Sequence, residues 1–191
     1  MNKIINNSPN EISQEQIRIN GDNNIIYIGK KCHATNFSLE VSSSFNRIYI
    51  GNNVRISGKI IIKIHNGNKL VIGNRTSVGG ANFIIGEGTS IYIGKDCMLA
   101  WGIELRTTDS HAIFDLNSHK RINPAKSIFI GNHVWVAAKA TLLGGSHIAR
   151  GSIVGYGSIV TKNFSEKNII VAGNPASIRK GNVYWDRKLL G

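Results

Sequence analysis

Acidic residues are scarce in this chain. Eleven Asp and Glu stand against 23 Lys and Arg, a formal net charge of +12. Such an imbalance points to an anionic partner: nucleic acid, a membrane surface, a nucleotide cofactor or an acidic polymer. Charge alone does not choose among them. Cysteine is nearly absent, with Cys32 and Cys97 the only two. That excludes a disulfide-stapled framework, and a cytosolic chain would keep both thiols reduced. No 18-residue apolar run occurs, which excludes a spanning helix. The N-terminal MNKIINNSPNEIS lacks the apolar stretch of a signal peptide. A soluble, cytoplasmic protein is expected. Leucine, methionine and proline are sparse, whereas isoleucine, glycine and asparagine abound. This composition favours strands and tight turns over helices. A length of 191 residues suits one domain.

What is present is a repeat. The phrase apolar, any residue, apolar, Gly occurs at Ile26–Gly29, Ile48–Gly51, Leu70–Gly73, Ile91–Gly94 and Ile128–Gly131. The first four glycines lie 22, 22 and 21 residues apart, and the last gap is 37. A finer period sits inside: Ile130, Val136, Leu142, Ile148, Val154 and Val160 fall every six residues. With about a quarter of the chain Ile, Val or Leu, chance gives such a run roughly once in a few thousand trials. Ile93, Leu99 and Leu105 keep the phase, as do Ile72, Val78 and Ile84. Four residues after each aliphatic comes a small or branched one: Ala140, Ser146, Ser152, Ser158, Thr76, Val134 and Val54. Cys32 and Cys97 occupy this slot and read as small core residues.

One inward aliphatic and one inward small residue per hexad is the hexapeptide β-helix signature. Three hexads form one triangular coil, and stacked coils form a columnar core. Gly51-Asn52, Gly73-Asn74 and Gly131-Asn132 are expected to supply positive φ at the corners. The early coils exceed 18 residues and carry a few extra residues, expected at one corner.

The phase breaks between Leu105 and Ile130. The excursion, 107–126, contains Asp109, His111, Asp115, His119, Lys120 and Arg121. A long polar excursion from a rigid scaffold is where function concentrates. Ile113, Phe114 and Ile122 predict that it packs onto something.

Three segments carry a family resemblance: Arg106-Thr107-Thr108-Asp109-Ser110-His111 followed 24 residues after the His by Trp135; Gly155-Tyr156-Gly157-Ser158-Ile159-Val160-Thr161-Lys162; and Ala172-Gly173-Asn174-Pro175-Ala176-Ser177-Ile178-Arg179-Lys180. They resemble bacterial hexapeptide-repeat acetyltransferases, including galactoside and maltose acetyltransferases, and most of all capsular-polysaccharide O-acetyltransferases that act on polysialic acid. The resemblance is specific over about 91–180; upstream it is repeat character only. It implies an all-β, left-handed parallel β-helix over 1–180 with the loop 107–126 inserted. Residues 181–191 then form a short helix or tail capping the last coil. It further implies a homotrimer with active sites between subunits, acetyl-CoA as donor, no metal, and a sugar or polysaccharide acceptor. The net charge favours an acidic capsular polymer such as polysialic acid.

By the same resemblance His111 is the general base that takes the proton of the attacking hydroxyl. Imidazole suits this, because it titrates near neutral pH. Asp109 would orient its ring if the segment is extended. Trp135 precedes an inward Val136, so it points outward, where the family keeps an aromatic residue near the reacting centre. The donor contacts carried over are Ala138 and Tyr156, stacked one coil apart, then Thr161, Lys162, Arg179 and Lys180, whose cations suit phosphates. Tyr156 stands where the family often has Ala and would narrow the path. No phosphate-loop or dinucleotide glycine motif is present.

Other readings compete. An N-acetyltransferase of an amino sugar or small xenobiotic would use the same His and groove. A zinc enzyme of this architecture needs three converging histidines, and the spacing of the six here does not provide them. A non-catalytic nucleic-acid binder would interleave aromatics with basic residues. Here the aromatics sit mostly in the repeated apolar phrase.

Overall fold

Short apolar strands separated by turns every six residues cannot bury their side chains in one layer, so the coils must stack. In the computed structural model, which describes residues 1–188, they stack as a parallel β-helix with three faces. The first face is an eight-stranded parallel sheet that starts at Lys3–Asn6 and ends at Asn163–Phe164. The second and third faces belong to one twelve-stranded sheet. In late coils these faces are separate short strands, such as Trp135–Val136 and Thr141–Leu143. In early coils single long strands, His33–Val41, Arg55–Ile62 and Ser77–Ile85, turn the corner between them. No helix among the described residues is long and apolar enough to cross a membrane.

The core is three columns of aliphatic side chains. Ile28, Ile50, Ile72, Ile93, Ile130, Ile148 and Phe164 stack behind the first face. Ile56, Val78, Leu99, Val136, Val154 and Val171 stack behind the second. Leu39, Ile60, Phe83, Leu105, Leu142 and Val160 stack behind the third. The hexad phase fails at one named position. Phe83, not Ile84, pairs with Leu105, and Phe83 and Ile85 are fully buried while Ile84 is half-exposed. The cause is the longer third-face strand of the early coils, which buries two residues where a late coil buries one. The extra residues of the early coils therefore lie along that strand and at both of its ends, rather than at a single corner.

The small slot behaves as its chemistry requires. The corner crowds the chain against the next coil, so a short polar side chain there reaches the neighbour's backbone. Thr76 Oγ1 donates to Gly94 O at 2.8 Å, and Ser146 Oγ to Val160 O at 2.8 Å. Cys32 and Cys97 are buried free thiols whose Sγ atoms approach Gly51 O and Gly131 O at 3.1 and 3.0 Å. Burial pushes the Cys97 thiol up to about 11, so it stays protonated and inert.

The Gly-Asn corners work differently from the expectation. Positive φ falls on the residue after the pair: Asn53 at 55°, Arg75 at 60°, His133 at 53°. The glycine is demanded by proximity. A β-carbon on Gly51 or Gly73 would collide with the backbone of the following coil. The asparagine bridges coils: Asn52 Oδ1 accepts from Lys30 N–H at 2.8 Å, Asn74 Oδ1 from Asn52 N–H at 2.9 Å and Asn132 Oδ1 from Lys95 N–H at 2.8 Å. A second, buried asparagine ladder runs at the opposite end of the first face. Each Oδ1 of Asn2, Asn24 and Asn46 accepts both the backbone and the side-chain N–H of its successor, Asn24, Asn46 and Asn68.

The last strand, Ala176–Lys180, doubles back antiparallel on Ile170–Gly173. The tail that follows contains no helix over 181–188, and it does not close the last coil; residues 189–191 lie outside the described part. It returns along the second face, with Trp185 stacked on His133 and Arg187 donating to Ser77 Oγ at 2.7 Å and Cys97 O at 2.9 Å. The indole needs a flat partner and an acceptor, and the corner at His133 offers both.

Asn46→Ala would leave the buried backbone N–H of Asn68 without its acceptor and would remove one of the two donors on the Asn24 side-chain carbonyl. It should cost roughly 2–4 kcal/mol, against about 1 kcal/mol for Asn52→Ala at the half-exposed corner. Chemical denaturation of the two variants checks this ordering.

Candidate active site

The loop is rooted where the third face hands over to the first. Its two legs are joined where Lys126 N–H donates to Thr107 O at 3.1 Å. Thr107 and Thr108 are buried, and Thr89 Oγ1 donates to Thr107 Oγ1 at 2.7 Å. Beyond the root the chain forms a small hairpin in which Phe114 faces Arg121. Asp115 turns it by accepting from Ser118 N–H at 2.7 Å and Ser118 Oγ at 2.8 Å, which holds its carboxyl below the usual range. Ile113, Phe114, Leu116 and Ile122 are all more than half exposed. The apolar side chains that predicted a packed loop have no cover within one chain.

His111 lies on the outer leg, exposed. Its carbonyl accepts from Asn123 Nδ2 at 2.9 Å, and the same amide donates to Asp109 Oδ2 at 2.9 Å. Asn123 Oδ1 accepts from Ile113 N–H at 2.7 Å. Asp109 therefore does not hold the imidazole. Ser110 sits at φ 64°, which turns the segment and breaks the extended geometry such a contact needs. Asp109 acts on His111 through Asn123, by fixing the backbone that carries the ring.

The other expected residues fall into two groups. Thr161 and Asp109 line one cavity of about 240 Å³ at the loop root, together with Thr107, Lys126 and Gly144. Lys162 follows Thr161 at that corner, its Nζ 5.5 Å from the centre of the buried Phe164 ring. The second group lies across the prism, on the second face and its far corner. Trp135 projects outward, half-buried, between Met98 and Ile153, with the Trp185 ring 6.2 Å away. Ala138 and Tyr156 are one coil apart, as their spacing implies, and Gly157 N–H donates to Ala138 O at 3.0 Å. Ala138 is buried and offers backbone only, whereas Tyr156 is 62% exposed. Arg179 and Lys180 are exposed on the doubled-back strand, and Arg179 Nε donates to Ala172 O at 3.0 Å. In a triangular prism the corner between the third and first faces stands opposite the second face. One chain therefore keeps the His111 group and the Trp135 group apart.

Besides Asn123, three residues around these two groups were not read from the sequence. Lys139 Nζ lies 5.3 Å from the Trp101 ring centre and 5.6 Å from that of Tyr156, an exposed cation–aromatic column across successive coils. The third is Glu87, at the corner beneath the loop. It accepts from Thr108 Oγ1 on one leg and from both Arg121 guanidinium nitrogens on the other. A carboxylate followed 21 residues later by Thr, one coil up, was the available signal. The Arg121 and Thr108 hydrogen bonds hold the Glu87 carboxyl at about 2, below its ordinary 4.5. The depressed pKa means the anchor is fully present above about pH 4.5 and is lost as pH falls toward 2. Glu87→Gln should loosen the loop by about 1.5–3 kcal/mol and flatten the stability–pH curve in that window. Thermal melts across pH, with amide exchange over 109–123, test both.

No family model matches the chain. It is 36% identical over 190 residues to a curated polysialic acid O-acetyltransferase of Neisseria meningitidis, spanning 99% of this chain and 88% of that one. Two solved structures superpose on nearly its whole length. The polySia-specific acetyltransferase NeuO does so with a TM-score of 0.86 at 35% identity, over 98% of this chain and 83% of its own. The polysialic acid O-acetyltransferase OatWY gives 0.82 at 32%, over 99% and 89%. Hexapeptide coils, the rooted His111 loop and similarity along the full length lead to one assignment: this chain belongs to the polysialic acid O-acetyltransferase family of hexapeptide-repeat acetyltransferases.

Proposed function

We propose that the protein moves an acetyl group from acetyl-CoA to a sugar hydroxyl of an acidic capsular polysaccharide such as polysialic acid. The full-length similarity to a polysialic acid O-acetyltransferase carries this reading. The net charge of +12 supports an anionic acceptor. Two unpaired thiols suit a cytoplasmic enzyme.

The reaction site forms between copies. The loop corner of one subunit meets the second face of its neighbour in a threefold trimer. That brings His111, Thr161 and Lys162 of one chain against Trp135, Tyr156, Arg179 and Lys180 of the next. The exposed Ile113, Phe114 and Leu116 then gain the cover they lack alone. His111 takes the proton of the acceptor hydroxyl as its oxygen bonds to the thioester carbonyl. The carbon–sulfur bond breaks, and the imidazolium returns the proton to the departing thiolate. Ester and free thiol are the products, with no covalent enzyme intermediate. Trp135 positions the acceptor or the acyl arm, and the exposed Lys and Arg side chains receive the phosphates of the donor. Asp109 and Asn123 position the His111 backbone.

His111→Ala should lower the rate of thiol release from acetyl-CoA by about 100-fold or more while leaving trimer mass and donor binding intact. An unaffected rate would remove His111 from the mechanism, and a monomer in solution would remove the shared site. A sialylated polymer should be acetylated faster than a neutral one, with a preference that shrinks as salt rises. Equal rates at all salt concentrations would reject the acidic acceptor.

A further inference from the structure

A cavity of about 680 Å³ lies away from both groups described above. It runs along the corner between the first and second faces in the early coils. One wall is the N-terminal segment around Ser8 to Glu11, the other the returning tail at Arg187. Both walls are fixed. Ser8 Oγ donates to Gly29 O at 2.8 Å and accepts from Cys32 N–H at 3.0 Å. Arg187 is tied to Ser77 and Cys97, as above.

The floor carries charge that the protein itself does not use. The two acids of the lining are engaged: Glu11 with His33 at 3.0 Å, and Asp96 with His133 at 2.8 Å and Arg187 at 3.6 Å. Lys31, Arg55 and Arg75 are exposed, and among the described residues no carboxylate pairs with any of them. Lys31, Asn53 and Arg75 are equivalent corner residues of successive coils, each presented by a left-handed backbone at φ 55–60°. Coils repeat about every 4.8 Å, so the cations form a row along the prism axis. The rest of the lining is rich in hydroxyl and amide groups and contains no Phe, Tyr or Trp. Amides and hydroxyls suit sugar hydroxyls, and the missing aromatics leave no platform for stacked bases.

The row also points somewhere. Arg55 is in strand register with Ser77, Met98 and Trp135 on successive coils of the second face. A chain lying parallel to the axis from Arg55 runs alongside the tail, where Arg187 bonds Ser77 and Trp185 flanks Trp135, and reaches the level of Trp135 three coils later, roughly 14 Å on. We propose that this groove is a binding site for the carboxylate-bearing acceptor chain, holding sugars distant from the reacting one and feeding the polymer along the second face to Trp135. The inference rests on the acidic-polysaccharide reading above. Arg55 and Arg75 pair with successive carboxylates, and Lys31 extends the row toward the N-terminal lip.

The test uses the full chain carrying Arg55→Glu and Arg75→Glu, with Arg55→Gln and Arg75→Gln as a milder pair, each first checked for trimer mass and melting temperature. Fluorescently labelled long polysialic acid, a short sialyl oligomer and a single-stranded oligonucleotide of matched charge are the probes, read by anisotropy. The long chain should bind about tenfold or more weakly to the charge-reversed protein and show an intermediate loss with the Gln pair. Its KM should rise by a similar factor while kcat stays within about twofold, and the short oligomer keeps its KM. Equal losses for long and short acceptors, or unchanged binding of the long chain, would overturn the groove. Tighter binding of the oligonucleotide, lost in the same variants, would assign it to nucleic acid instead. If no sialylated acceptor is acetylated at all, the proposed function falls. Anisotropy with wild-type protein then judges the groove separately, and no long-chain binding refutes it.

Discussion

Everything in this molecule depends on coil-to-coil hydrogen bonding in strict register. Each coil is a poor structure alone, with few local contacts and unpaired edges. Stacked on its neighbour it satisfies the strand backbone, the corner amides and the side chains of Asn24, Asn46 and Asn68 together. The approach is so close that a β-carbon is not tolerated at Gly51 or Gly73. Register fixes which residues stand above one another, and so fixes the columns of the core and the rows of side chains on the surface. A one-residue slip would turn every buried aliphatic outward.

The proposed catalytic arrangement inherits this rigidity and its cost. A prism displays residues in straight rows but cannot fold two faces toward each other, so a cleft inside one subunit is hard to make. The excursion 107–126 answers part of the problem by lifting His111 off the corner, with Glu87 gripping both legs from the coil below. In the proposed reading the remainder comes from another copy, and the exposed apolar tip of the hairpin fits that demand.

The repeat was legible because its period is enforced at every coil, and the aliphatic series from Ile130 to Val160 lies in the core without exception. The phase misassigned Ile84 because coil length changes there, and a period carries no information about where an added residue is absorbed. The Gly-Asn corners were located correctly and explained wrongly. Sequence marks a glycine without saying whether φ or proximity requires it. The positions of His111 on the loop and of Trp135 on an outward face followed from resemblance and spacing, whereas the contacts of Asn123 and Glu87 did not, since their partners are set by three-dimensional closure of the loop. The return path of the tail was invisible for the same reason: nothing near Trp185 in the chain names His133 as its partner.

That return path changes the character of the solenoid. In a simple stack each coil knows only its neighbours, and an end can fray without consequence for the middle. Here Trp185 and Arg187 span from the coil of Arg75 and Ser77 to that of His133. A later part of the chain thus sews together coils that precede it in sequence. Without that stitch the coils of Ser77, Cys97 and His133 would be coupled only through their neighbours; with it they are also tied to one another directly.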